Sequence, residues 1–326
     1  MSAEALPRTG ELERWVGAVM GGRVISCHRV AGGRSRLICA LDVECGSAIV
    51  PVLTRSETGH GPHSQTRFTL AREAALLRAL QPTAALTPRV YGLSADGNVL
   101  LMERLPGGVT LPAAAAARQQ VIAAYAKALA DVHRLDAGLV LPQAGTTPDS
   151  RACALLDLAD YEDSYRRLCL PHEIFERSLQ WLQRHAPPPL ARAVVLQGDA
   201  GPGNFLQHEG RITGLIDWEM AHGGDPHDDL AWIWFRVNVL RQDLEADSYF
   251  KAYAQVAGLD IEAQRVLYFI VQVIWRCAVS CGVRQWHDAT RDDARPAYLR
   301  ELLQAALEDA SHGRLSKLPP LPAGLG

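Results

Sequence analysis

The sequence predicts an α+β protein in two lobes, a small β-rich lobe over residues 1–105 and a larger, mostly helical lobe over 106–326. Three observations carry this. Short apolar runs of strand type dominate the first hundred residues. A break at Pro106, Gly107 and Gly108 follows. Beyond it, apolar positions recur at helical spacing, interrupted once by β-like text over 194–216.

In order along the chain, strand runs are expected at 24–26, 37–41, 48–53 and 98–102. One helix interrupts them over roughly 68–80, with Leu70, Ala74, Leu77 and Leu80 near one face. Pro51 marks the third run as an edge or bulged strand, because proline has no N–H for a ladder. After the break, Val121, Ile122, Tyr125, Leu129, Val132 and Leu135 form an i, i+3/i+4 stripe. Further helices are expected over 157–169 and 172–186, the latter stopped by Pro187, Pro188 and Pro189. Helical text resumes after the island and runs to about 310, ahead of a Pro-rich extended tail.

Composition limits the class of function. With 48% hydrophobic and 21% charged residues the chain is globular and not disordered. A net charge of -3 argues against nucleic acid as a partner. The seven cysteines include no C-x-x-C pair, which argues against a disulfide framework or zinc ribbon and fits a reducing, cytoplasmic setting. The first residues lack a basic region and an apolar core, so no signal peptide is expected. No uninterrupted apolar run reaches the roughly 18–20 residues of a membrane helix, so no membrane partner is expected either. The oligomeric state is not legible.

The chemistry concentrates in the island. An apolar strand delivers a loop headed by Asp199, with Asn204 five residues on. A second strand, a turn at 208–211 and a third strand then place Asp217 at a strand end. Bringing a hydroxyl to a nucleotide γ-phosphate needs such a set. One carboxylate orients and deprotonates the hydroxyl, while a second carboxylate and an amide oxygen hold Mg²⁺ against the phosphates. Gly201 and Gly203 leave room for backbone to approach a ligand. The alternative is a Gly/Pro-rich surface turn whose Asp and Asn cap their own backbone.

Gln197-Gly-Asp199, Asn204 and Ile216-Asp217-Trp-Glu together resemble the signature of the aminoglycoside phosphotransferase/choline-kinase-like superfamily, small-molecule kinases with a two-lobed protein-kinase-like fold. Gly224, Asp225, Pro226 and Asp229 resemble the segment that follows it, and 129–136 resembles the family's L-A-x-L-H-x-L-D helix end. Arg72-Glu73 and the 99–107 stretch resemble its first-lobe helix and hinge. The resemblance implies ATP and Mg²⁺ as cofactors and a small hydroxylated molecule as substrate. It implies Asp199 as catalytic base, Asn204 and Asp217 as Mg²⁺ ligands, and Glu73 as the partner of a cationic phosphate-binding residue. Backbone around Glu103 and Leu105 would take the adenine.

Two departures stand out. Gln197 occupies the position where the family usually has His, a loop scaffold. None of the three lysines (127, 251 and 317) lies in the first lobe, so the phosphate-binding cation is expected to be Arg55, with Thr54 the alternative if the register slips by one. Arg55 has a plainer reading as a solvated strand-end charge. The 31–35 segment, with Gly33 and Ser35, would either cover the phosphates or form a plain hairpin. His60 and His63 lie in a Gly/Pro loop, read as loop and not as a metal site. In the cluster of His222, Asp225, His227, Asp228 and Asp229, the two aspartates 225 and 229 are expected to brace the catalytic loop. His133 is expected to be structural, and Cys277 and Cys281 to belong to a core helix.

The function these features imply is an ATP- and Mg²⁺-dependent kinase of a small molecule. The alternative is a degenerate kinase fold that binds without catalysis, resting on Gln197 and the absent lysine. From 240 to 326 eleven Asp/Glu face ten Lys/Arg, and Tyr268, Phe269, Ile274, Trp275 and Trp286 lie in the same stretch. That balance suits an uncharged or amphipathic acceptor better than a polycationic aminoglycoside.

Overall fold

In a computed structural model, residues 9–30, 36–59, 66–141, 148–243, 245–282 and 295–313 are described below. Gly33, Ser35, His60, His63, Trp286 and the Pro-rich tail lie outside them. The chain divides into two compact units: Met1–Gln81 with Thr87–Leu105, and Pro82–Leu86 with Pro106–Gly326. Pro82–Leu86 joins the second unit because the Leu86 carbonyl accepts the Leu215 N–H at 2.7 Å.

The first unit is an antiparallel sheet of β1 (Arg23–Arg29), β2 (Arg36–Cys45), β3 (Ala48–Glu57), β4 (Val90–Leu93) and β5 (Val99–Glu103), in the order β1-β2-β3-β5-β4. Helix α1 (Thr9–Met20) buries Leu12 and Val16 against Cys39, Leu41, Val43, Val52 and Leu101 on one face of the sheet. Helix α2 (Leu70–Leu80) packs against β3, β4 and β5 with Leu70, Ala74, Leu77 and Leu80 buried. Its start is set by Thr69, whose hydroxyl accepts the Arg72 N–H at 3.2 Å, two residues later than the spacing predicts.

Pro51 does not make β3 an edge. The strand is central, paired to β2 over ten consecutive residues and to β5 over five. In an antiparallel strand the N and C=O of one residue point to the same side. The Pro51 carbonyl accepts the Arg104 N–H, so its missing N–H also faces β5, just past the paired stretch that begins at Val52. No ladder bond is lost.

The second unit is built on α3 (Ala115–His133), α4 (Ser150–Leu168), α5 (Glu173–His185), α6 (Pro226–Asn238), α7 (Ala246–Ala257), α8 (Ala263–Gly282) and α9 (Arg295–Ser311). Helix α4 starts earlier than predicted because Asp149 caps it, accepting the Ala152 N–H. Helix α8 is the spine of this unit. It packs on α4, α5, α6 and α9, burying Ile270, Val271, Ile274 and Trp275. It is also long and apolar enough to cross a membrane by length and composition, yet 78% of that window is packed inside the protein.

The island forms two short sheets. Strand β6 (Val194–Leu196) pairs with β9 (His222–Gly224), and β7 (Phe205–His208) pairs with β8 (Arg211–Leu215). The β7–β8 turn has positive φ at Glu209 (49°) and Gly210 (79°), the backbone that a two-residue hairpin loop requires. Phe205 stacks on Tyr125 of α3 at 4.3 Å between ring centroids, anchoring the hairpin to the helix predicted from the 121–135 stripe.

Candidate active site

In the second unit, β6 ends at Leu196 and the chain turns sharply through Gly198, where φ is +82°. A Cβ there would lie 2.2 Å from the Met220 carbonyl oxygen, so only glycine fits. The turn is held from behind. Asp229 of α6 accepts the backbone N–H of Gln197 at 2.8 Å and of Gly198 at 2.9 Å, and His133 donates Nε2–H to the same carboxylate at 3.0 Å. The Tyr253 hydroxyl supports Nδ1 of His133 at 2.6 Å. Asp229 and His133 are thus the loop's brace. Asp225 is not: it caps α6, bonds His227 and pairs with Arg265 of α8, so it ties helix to helix and leaves the loop to its neighbour.

Gln197 is completely buried. Its Nε2 donates to the Asn204 carbonyl at 3.1 Å and to the Ile216 carbonyl at 2.8 Å. One amide therefore stitches the head of the loop, its far end and the residue before Asp217. The Ile216 N–H closes the same connection by donating to the Asn204 carbonyl at 3.0 Å. Asp217 itself sits in the left-handed region, φ +62°, uncommon for a residue with a side chain and a frequent mark of functional backbone.

Asp199 is engaged on both oxygens. Arg236 of α6 donates Nε–H to Oδ1 at 2.9 Å and its second nitrogen to Oδ2. The Asn204 side chain donates Nδ2 to Oδ2 at 2.7 Å and to the Asp199 carbonyl at 2.8 Å. Burial raises the Asp199 carboxyl pKa to about 6, opposed by the Arg236 guanidinium and reinforced by Asp217. A carboxylate so placed is ionised at neutral pH and close enough to it to serve as a base. Because both Asn204 amide hydrogens point at Asp199, its Oδ1 is the atom left for other work.

Arg236 carries no motif in the sequence. The one available signal was spacing: it lies seven residues after Asp229, two helical turns along α6 and therefore on the same face. Gly201 and Gly203 also serve a purpose other than the one expected. A Cβ at Gly201 would meet the Arg236 Cδ at 3.1 Å, and one at Gly203 would meet its guanidinium at 3.2 Å. The glycines make room for an arginine of the chain.

The remaining acidic residues of the 222–229 cluster are occupied. Asp228 takes a bidentate pair from Arg276 of α8 at 2.7 Å and bonds His222, and Asp157 of α4 meets the same guanidinium at 2.5 Å. Among the described residues no group of three His, Cys, Asp or Glu is arranged to hold a metal. Cys277 and Cys281 lie on α8, and burial pushes the Cys277 thiol well up.

In the first unit, Arg55 sits inside β3, 7% exposed, and donates to Glu73 of α2 at 2.6 Å, itself 2% exposed. It is not a solvated strand-end charge. Strand alternation turns Thr54 to the α1 face with Val52, so the alternative register does not occur. At the end of β5, the Glu103 N–H is bound to the Arg89 carbonyl and the Arg104 N–H to Pro51. The Leu105 N–H has no partner among the described residues.

Protein kinases and their small-molecule relatives pair an antiparallel sheet unit with a helical unit bearing aspartates at successive strand ends, and the fold here is of that class. The chain belongs to the phosphotransferase enzyme family, whose profile matches residues 29–265. Mouse acyl-CoA dehydrogenase family member 10 is 26% identical over 176 residues, which is 50% of this chain but 16% of that protein. An aminoglycoside 3'-phosphotransferase of Enterococcus faecalis is 25% identical over 83 residues, 26% of this chain and 30% of its own length. The chain thus spans well under half of each of these curated relatives. Among solved structures, a thermostable mutant of aminoglycoside phosphotransferase APH(4)-Ia in a ternary complex with ADP and hygromycin B superposes with a TM-score of 0.64 at 17% identity, covering 91% of this chain and 98% of that one. A macrolide 2'-phosphotransferase of Brachybacterium faecium gives 0.53 at 16% identity, covering 84% and 98%.

Proposed function

We propose that the protein transfers the γ-phosphoryl group of ATP to a hydroxyl of a small molecule that is not a polycation. The observation that carries this reading is the condition of Asp199: at the apex of a braced loop, ionisable near neutrality, with Asn204 locked to it. Asp199 accepts the proton of the acceptor hydroxyl as its oxygen attacks the γ-phosphorus, and the bond from that phosphorus to the β–γ bridging oxygen breaks to release ADP. Asn204 Oδ1 and the Asp217 carboxylate are hard oxygen donors of the kind Mg²⁺ takes, and the bound ion would neutralise charge on the phosphates. Arg55, fixed by Glu73, supplies the cation toward the α- and β-phosphates in place of a lysine, and a guanidinium suits phosphate oxygens bidentately. The Leu105 N–H is the adenine donor, with the Glu103 carbonyl as its companion acceptor. Gly33 and Ser35 keep their proposed place over the phosphates from sequence alone.

Two observations favour catalysis over a non-catalytic fold. Gln197 makes the scaffold bonds, and Arg55 is paired with the helix glutamate. The neutral or amphipathic acceptor is supported by Arg236, which offsets the Asp199 charge, and by the near-balance of charge after residue 240.

The test is a phosphotransfer screen with MgATP over neutral alcohols, macrolides, hydroxyacyl compounds and aminoglycosides, wild type against Asp199→Asn. The variant is expected to lose about 10²–10⁴-fold in kcat while binding MgATP with unchanged affinity. Equal turnover by the two proteins would remove Asp199 from the reaction. Efficient phosphorylation of an aminoglycoside would refute the acceptor class.

A further inference from the structure

We infer that Arg236 is a positioning residue that leaves one lone pair of Asp199, on Oδ1, as the proton acceptor for the incoming hydroxyl. The inference rests on the phosphotransferase reading above and adds a residue to it.

A carboxylate offers about four lone-pair sites, two on each oxygen. Asp199 Oδ2 is filled by Arg236 and by Asn204 Nδ2. Oδ1 takes only Arg236 Nε–H, at 2.9 Å. One direction of approach remains. A hydroxyl arriving there meets a carboxylate that cannot rotate, because turning it would break the bidentate pair.

Arg236 is itself immobilised. It is 7% exposed, and its other terminal nitrogen donates to the Pro202 carbonyl at 3.1 Å and to Gln242 Oε1 at 2.9 Å. Four of its five N–H groups are therefore used, two toward the base and two toward loop and helix end. The loop is shaped to this guanidinium: Gly201 and Gly203, at φ +130° and +91°, flank Pro202 and pass within contact of the arginine. A planar fork with fixed donors holds a carboxylate plane in a way a single ammonium does not.

The experiment measures phosphate release from MgATP, with water as the acceptor, for wild type, Arg236→Gln, Arg236→Lys and Arg236→Ala, alongside MgATP affinity by calorimetry and thermal unfolding. Asp199→Asn sets the background. We expect Arg236→Gln and Arg236→Ala to lose about 100-fold or more in kcat, the cost of misplacing a reacting group by an ångström, with KM for MgATP within about twofold. Arg236→Lys is expected to recover part of the loss. Millimolar guanidinium is expected to restore turnover to Arg236→Ala, where sodium at equal ionic strength does not. That rescue would not follow from a structural role. If Arg236→Gln fails to fold, Arg236→Lys decides: kcat within about threefold of wild type overturns the inference. Wild-type turnover with variants unchanged, or a KM rise at constant kcat, overturns it and leaves the phosphotransferase reading intact. Wild-type release no faster than Asp199→Asn overturns both.

Discussion

At Gln197 one neutral amide carries the connection between the loop that presents Asp199 and the strand end that presents Asp217. Gln197→Leu removes both donors, so that the half-buried Ile216 carbonyl loses this partner and the Asn204 carbonyl keeps only the Ile216 N–H. The expected cost is about 1–3 kcal/mol, read as a lower urea midpoint at unchanged slope. His222 gives a second prediction. Burial would lower its pKa, but Asp157 and Asp228 outweigh both that and the nearby Arg276 and hold it above 6.5. The folded state thus binds the proton more tightly than the unfolded chain. Stability from this group is fully present below pH 6.5 and is lost as pH rises through the higher folded value. Thermal midpoints for wild type are expected to fall across that window, and His222→Asn to flatten the fall. At this scale Asp199, Asn204 and Asp217 were legible because they sit at fixed offsets in one local segment. Arg236 was not, since its contact with Asp199 spans 37 residues and depends on how α6 lies against the loop.

Helix α2 and strand β3 meet through one buried ion pair, and its two halves behave differently on removal. Arg55→Met leaves Glu73 buried without that guanidinium and is expected to cost about 3–5 kcal/mol. Arg55→Met with Glu73→Leu is expected to recover much of the stability while activity stays low. Chemical denaturation of both variants beside an ATP assay checks this. A steric counterpart is Gly203→Ala, which puts a methyl 3.2 Å from the Arg236 guanidinium on a φ of +91°. It is expected to reduce kcat at least about tenfold at little change in nucleotide affinity, measured by steady-state kinetics. Elements with a strong period or a turn signal could be read from sequence, as with α3 and the β7–β8 hairpin. Helix α1 was missed because Gly10 and Gly17 weaken its propensity, so that its Leu12 and Val16 form a helix by packing on the sheet. Strand β4 is four residues long with an irregular register between Val90 and Gly92, too short to alternate visibly. Pro51 misled for a reason no sequence displays: which side of the strand its missing donor faces.

For the whole molecule, binding of MgATP is expected to raise stability by mass action, about 2.7 kcal/mol at a hundred times Kd, and differential scanning would show it as an upward shift of the transition. A shift unaffected by EDTA would argue against Asn204 and Asp217 as ion ligands. Helix α8 carries a further consequence. It is largely buried, yet it is synthesised before α9, which packs on it. A nascent chain therefore presents the ribosome exit with a segment that translocation machinery could mistake for a membrane anchor. Arg276, late in that segment, would carry an insertion penalty of up to about 2.5–3.5 kcal/mol if the helix entered a bilayer. The arginine that joins Asp157 and Asp228 in the folded protein is thus also expected to disfavour membrane insertion of this helix. Translating Arg276→Leu in the presence of microsomes should yield more carbonate-resistant, membrane-embedded product than wild type.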